Sequence, residues 1–159
     1  MSANIPFAII PSANPVSAQE RADRIAAPGF GKVFTDHMVT IRYVEGQGWH
    51  DAKVHARQPL VLDPATAVLH YAQEIFEGLK AYRLADGALA LFRPEANAQR
   101  FNASARRMAM AELPEELFIE SCRQLVQIDR DWFPNVEGGS IYLRPFMIAT
   151  EVGLGVRPA

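Results

Sequence analysis

The chain has 159 residues, 49% hydrophobic and 21% charged, the composition of one globular domain or a domain with a tail, not of a disordered segment. Sixteen Lys+Arg against eighteen Asp+Glu leave a net charge of −2, too weak a field to attract nucleic acid or an anionic membrane. A single cysteine, Cys122, excludes an internal disulfide and a cysteine pair for zinc or redox chemistry. No run approaches the ~20 apolar residues of a bilayer span, and MSANIPFAII lacks a secretory leader, so the expectation is a cytoplasmic protein.

Residues 1–29 carry Pro6, Pro11, Pro15 and Pro28, which break helices and ladders, and read as an irregular N-terminal arm. From Phe34 the pattern alternates: Val39, Ile41 and Tyr43 against Met38, Thr40, Arg42 and Val44 predict a strand. Glu45-Gly46-Gln47-Gly48 reads as the hairpin turn, with Trp49 to Ala56 as the returning strand. Ala65 to Phe76 reads as a short helix or a packed loop. Glu77 to Leu84 reads as a strand that turns at Asp86-Gly87 into Leu89 to Phe92.

Two helices follow. Pro94 and Glu95 suit a first turn. Ala98, Phe101, Ala105 and Met108 form an apolar stripe beside a polar one of Asn97, Arg100, Ser104 and Arg107. Pro114, Glu115 and Glu116 open the second helix, whose buried face reads Leu117, Phe118, Cys122, Leu125 and Ile128. Ile141 to Ile148 is a strand with Pro145 inside it, which implies an edge, a bulge or a bend. Strands segregated from helices favour α+β.

Tyr142 and Arg144 share a strand face and together make a carboxylate receiver, since both donate hydrogen bonds and one is permanently charged; an ordinary strand pair has the same spacing. Arg100 suits a phosphate or a solvated helix face. His70 and Glu74, four apart, are two ligands at most, short of a zinc site. Lys32, Lys53 and Lys80 are the only lysines; Lys80 lies in the aromatic-rich segment, and a solvated lysine is the plain reading of it.

FGKVFTDHM (30–38), HYAQEIFEGLKAYR (70–83), LFRPEANAQRFNASARRM (91–108), IYLRPFMI (141–148) and GLGV (153–156) occur in this order. Together they resemble the N-terminal half of branched-chain amino-acid aminotransferases, of fold type IV among pyridoxal-phosphate enzymes. The resemblance implies a small N-terminal α+β domain, a mostly antiparallel sheet with two helices, over residues 30–159, truncated near its C-terminal boundary. It implies transfer of the amino group of leucine, isoleucine or valine to 2-oxoglutarate, with pyridoxal 5′-phosphate as cofactor. Arg100 would hold the cofactor phosphate. Tyr142 would meet the substrate carboxylate end, and Arg144 the distal carboxylate of glutamate. Phe30, Tyr71 and Phe76 would line an apolar side-chain pocket. Residues matching Tyr71, Leu154 and Val156 reach the neighbouring subunit's site in that family, which implies a homodimer.

The family's Schiff-base lysine belongs to a second, larger domain that none of these segments matches, so the expectation is a fragment that does not transaminate alone. Within the fold, a D-amino-acid aminotransferase or an aminodeoxychorismate lyase shares the helix arginine, but TDHM, FEGLKAYR and YLRP together favour the branched-chain group. A phosphate-binding or dimerisation module without chemistry is the reading from another class.

Overall fold

Alternation and turn chemistry place the first hairpin where the sequence puts it. The computed structural model, which describes residues 5–136 and 138–157, begins with β1 (Ala8–Ile9) and α1 (Ala18–Ala26), then β2 (His37–Val44) and β3 (Gly48–Ala56). Gly46 and Gly48 both take positive φ, 81° and 80°, the conformation the tight connection demands. β1 adds in parallel to β3, giving the order β1-β3-β2. Among the described residues no helix is long and apolar enough to cross a membrane.

The arm is less irregular than its prolines suggest. Pro15 and Pro28 lie outside α1, and the segment between them holds a capping-box pattern, Ser17 followed by Glu20. The Ser17 hydroxyl accepts the Glu20 N–H at 3.2 Å. The arm is also latched to the body through side chains. Ser12 N–H donates to His37 Nε2 at 2.9 Å, which assigns the ring proton to Nδ1, and Nδ1 donates to Asp129 at 2.6 Å. Asp36 accepts the Val16 N–H at 2.9 Å and the Trp132 indole at 2.8 Å.

Next come α2 (Ala67–Tyr71), β4 (Glu74–Phe76), β5 (Leu79–Arg83) and β6 (Leu89–Leu91), the two long helices α3 (Pro94–Arg107) and α4 (Glu115–Ile128), and finally β7 (Ser140–Leu143) and β8 (Phe146–Ile148). The fold is α+β with largely antiparallel sheets; the two expected helices are the long ones, and α1 and α2 are short additions to them. Ala98, Phe101 and Ala105 of α3 meet Leu117, Phe118, Cys122 and Val126 of α4 in one buried cluster with Ile75, Leu79, Ala81 and Leu143 from the strands. Burial pushes the Cys122 thiol up to about 12, against a hydrogen bond with Ser121 that lowers it, so this cysteine is inert at neutral pH.

Two details of the helix stripes differ from the sequence reading. On α4 the buried position is Val126, with Leu125 and Ile128 half-buried. On α3 Met108 is exposed and Met110 takes its place in the core. The cause is the helix end. Ala109 is left-handed, φ 52°. Met110 N–H reaches back to Ala105 O at 2.9 Å, and Ala109 N–H to Arg106 O at 3.2 Å, the two bonds of a Schellman motif. That motif swings Met110 inward. Ala109 is exposed and occupies a position that favours glycine, so Ala109→Gly is expected to stabilise the protein by about 1 kcal/mol, read as a rise in Tm; a fall would mean the left-handed turn is not what ends α3.

Candidate active site

The strands that carry the aromatic and charged residues form one ribbon with a shared interruption. Residues 74–83 are an extended segment broken at Glu77-Gly78, and residues 140–148 one broken at Arg144-Pro145. The breaks face each other with no slip of register: Phe76 lies opposite Phe146, and Leu79 opposite Leu143. Between them Glu77 N–H donates to Pro145 O at 2.8 Å. Proline has no N–H to return, so the ladder opens here and β8 pairs with β4 while β7 pairs with β5.

Burial alternates without interruption along Gln73–Ala81, the odd positions inward. This puts Ile75, Leu79 and Ala81 in the core, and between them a carboxylate, Glu77, 4% exposed. A buried carboxylate needs partners, and α3 provides them. Arg100 Nε donates to Glu77 Oε1 at 2.6 Å and Arg100 Nη2 to Oε2 at 2.7 Å. Asn97 Nδ2 donates to Oε2 at 2.9 Å and to Gly78 O at 3.3 Å. Asn97 and Arg100 are three apart and therefore neighbours on one helix face. Burial pushes the Glu77 carboxyl up, but the hydrogen bonds from Arg100 and Asn97 and the guanidinium charge outweigh it and hold it below its usual range. Glu77 in turn holds the Arg100 pKa above its ordinary value. The Arg100 side chain is 67% exposed, and its third nitrogen, Nη1, has no partner among the described residues.

The even positions point outward and build a second surface. The Phe30 and Tyr142 rings meet edge-on with centroids 5.2 Å apart. Arg144 lies 4.6 Å over the Phe76 ring and donates from Nη2 to the Tyr142 hydroxyl at 3.0 Å. That hydroxyl accepts from Arg144 and keeps its own proton to donate outward. Gly78 lets the ring in: a Cβ there would overlap the Tyr142 hydroxyl and sit 2.9 Å from Cζ. The two surfaces are joined at one peptide step, Glu77 facing α3 and Gly78 facing Tyr142.

The structure thus brings Phe30, Phe76, Tyr142 and Arg144 together, with Arg100 linked to them through Glu77 and Gly78. Tyr71 and Leu154 form a separate contact, the Tyr71 hydroxyl donating to Leu154 O at 2.5 Å; Val156 follows, 88% exposed. His70 places Nε2 against Pro64 O at 2.8 Å, and Lys80 is exposed, paired in register with Tyr142. Sequence reasoning did not single out Glu77, Asn97 and Gly78 as a set. The signal was a lone carboxylate at an inward position of an alternating strand.

The donor set suits a phosphate at one edge: a guanidinium already oriented, with an unpartnered Nη1. No family model matches the chain. A probable branched-chain-amino-acid aminotransferase of Streptomyces coelicolor is 65% identical over 151 residues, 94% of this chain and 41% of that protein. The branched-chain-amino-acid aminotransferase of Mycolicibacterium smegmatis is 57% identical over 159 residues, 99% of this chain and 43% of that protein. The chain therefore spans less than half the length of these relatives. Among solved structures, the T.th. branched-chain amino acid aminotransferase with pyridoxamine 5′-phosphate superposes with a TM-score of 0.55 at 27% identity, over 66% of this chain and 32% of that one. The Escherichia coli enzyme does so with a TM-score of 0.54 at 25% identity, over 67% and 34%. With this identity along almost its whole length and the matching fold, the chain is similar in sequence and in fold to the N-terminal part of branched-chain-amino-acid aminotransferases.

Proposed function

We propose that this chain is the small-domain portion of a transaminase that moves the amino group of leucine, isoleucine or valine to 2-oxoglutarate, working with a larger domain that carries the cofactor lysine, and as a homodimer. The observation that carries the reading is the 65% identity to one such protein over 94% of the chain, met by a ribbon break that gathers an arginine for phosphate and a Tyr–Arg pair for carboxylate. Pyridoxal 5′-phosphate, when bound, supplies the electron sink of transamination. Arg100 holds its phosphate through the free guanidinium edge. Tyr142 donates to the substrate carboxylate end. Phe30 and Phe76 cover an aliphatic side chain and exclude water. Arg144, resting on Phe76 and Tyr142, receives the distal carboxylate of glutamate. Tyr71, Leu154 and Val156 complete the neighbouring subunit's pocket. A second T.th. structure, in complex with N-(5′-phosphopyridoxyl)-L-glutamate and 28% identical with a TM-score of 0.53, agrees with a pocket in this family that accepts a dicarboxylate.

One assay series tests this. The full-length protein is expected to transaminate leucine with 2-oxoglutarate. Arg144→Gln is expected to weaken glutamate use by roughly tenfold or more, the worth of a hydrogen bond to a charged group, and leucine use far less. The 159-residue chain alone is expected to give no turnover. Equal losses for both substrates would remove Arg144 from its role; leucine turnover by the short chain, or D-alanine as the preferred donor, would overturn the wider reading.

A further inference from the structure

We propose that Glu77 is a positioning residue that fixes the Arg100 guanidinium with its Nη1 edge turned to the cofactor phosphate. The inference deepens the reading of Arg100 as the phosphate holder and rests on it. Three observations carry it. Glu77 occupies an inward position between Ile75 and Leu79, where an aliphatic residue would fit the alternation. A carboxylate is costly there unless it is fully satisfied, and Arg100 Nε, Arg100 Nη2 and Asn97 Nδ2 satisfy it at 2.6–2.9 Å, with Gly78 N–H at 3.3 Å. The arginine it grips is 67% exposed. A long exposed side chain otherwise samples many rotamers, so the bidentate grip orders the guanidinium before any ligand arrives, and pre-organisation of this kind raises affinity. Finally, the fork is engaged along its Nε–Nη2 edge. This leaves Nη1, and with it the terminal Nη1–Nη2 edge, for another anion. Asn97 acts on Glu77 and on Gly78 O, and so ties this grip to the Tyr142 surface.

The charge of Glu77 alone would act in the opposite sense, since a carboxylate beside Arg100 repels a phosphate. The two effects separate on substitution. Glu77→Gln removes the charge but sets an amide NH2 against an arginine donor, so the bidentate grip is lost. The test measures, in the full-length protein, the ratio of dissociation constants for pyridoxal and pyridoxal 5′-phosphate, which isolates the phosphate's contribution. Glu77→Gln is expected to cut that ratio roughly tenfold, one hydrogen bond to a charged group, and Glu77→Asp, with both oxygens retained, to recover part of it. Asn97→Ala is expected to move the ratio in the same direction by a smaller factor, and it carries the test if Glu77→Gln fails to fold by circular dichroism. An unchanged or raised ratio in Glu77→Gln, or in Asn97→Ala where it stands in, overturns the proposal. If Arg100→Gln collapses the ratio in that case, the phosphate reading of Arg100 stands without it. If Arg100→Gln leaves the ratio unchanged, that reading falls and the proposal falls with it.

Discussion

Phe118→Ala is expected to lower the unfolding free energy by about 3–5 kcal/mol, the range for emptying a fully buried aromatic site. Phe118 is 1% exposed and its ring lies 5.4 Å from that of Phe101, tilted by 49°. It stands where the first turn of α4 meets α3, and its N–H is bonded to Pro114 O at 3.0 Å. Strand residues Leu79, Ala81 and Leu143 close the same cluster. Rigid neighbours on every side limit collapse into the cavity, and this puts the cost at the upper part of the range. Domains of this size hold about 5–15 kcal/mol in all, so the variant should show a clear drop in its urea midpoint. Phe118→Leu, which keeps most of the volume, should cost less than half as much. A loss under about 1 kcal/mol for Phe118→Ala would mean that the α3–α4 contact is not the centre of the core.

Asn102→Ala is expected to cost about 3 kcal/mol, through polar groups left without partners. Asn102 sits on the apolar side of α3, 7% exposed. Its Nδ2 donates to Leu113 O at 2.8 Å, and its Oδ1 accepts the Leu113 N–H at 2.9 Å. The amide thus mimics a strand partner and ties down the loop that leads into α4. Alanine would leave both backbone groups of a buried residue unmet, where water has little access. Asn102→Asp separates the two bonds. The carboxylate still accepts from Leu113 N–H but opposes Leu113 O, whereas its protonated form can donate there. The folded state therefore favours the proton and raises the new carboxyl's pKa. Stability relative to the parent at the same pH should be better at low pH and should fall as pH rises through the carboxylate range. A deficit independent of pH would show that the Nδ2 bond contributes nothing.

Much of this architecture is local in origin. Pro94-Glu95 and Pro114-Glu115-Glu116 mark the starts of the long helices, and their apolar spacing marks the faces that pack. Glu45-Gly46-Gln47-Gly48 marks the first hairpin, because two glycines supply the positive φ that the turn requires. Pro145 announces a break in its strand. The residues of the candidate site were named through their resemblance to a family, with Tyr142 and Arg144 also paired by strand alternation. Where local signals competed, the weaker one was lost: the prolines of the arm hid the Ser17–Glu20 cap of α1, although they lie outside the helix.

The sequence by itself determined the first hairpin, the two long helices and the class of fold, which rest on short-range periodicity and turn chemistry, and the resemblance to a family, which rests on long contiguous motifs. Tertiary structure decided the pairings between distant segments. Residues 74–83 meet residues 140–148 in one register with their interruptions opposed. Glu77 meets Arg100 across 23 positions, and His37 meets Asp129 across 92. The physical reason is that a buried charge or a ladder edge is satisfied by whatever the packing of other elements brings within hydrogen-bond distance. One side of that contract is written in the residue, and its partner is chosen by the fold.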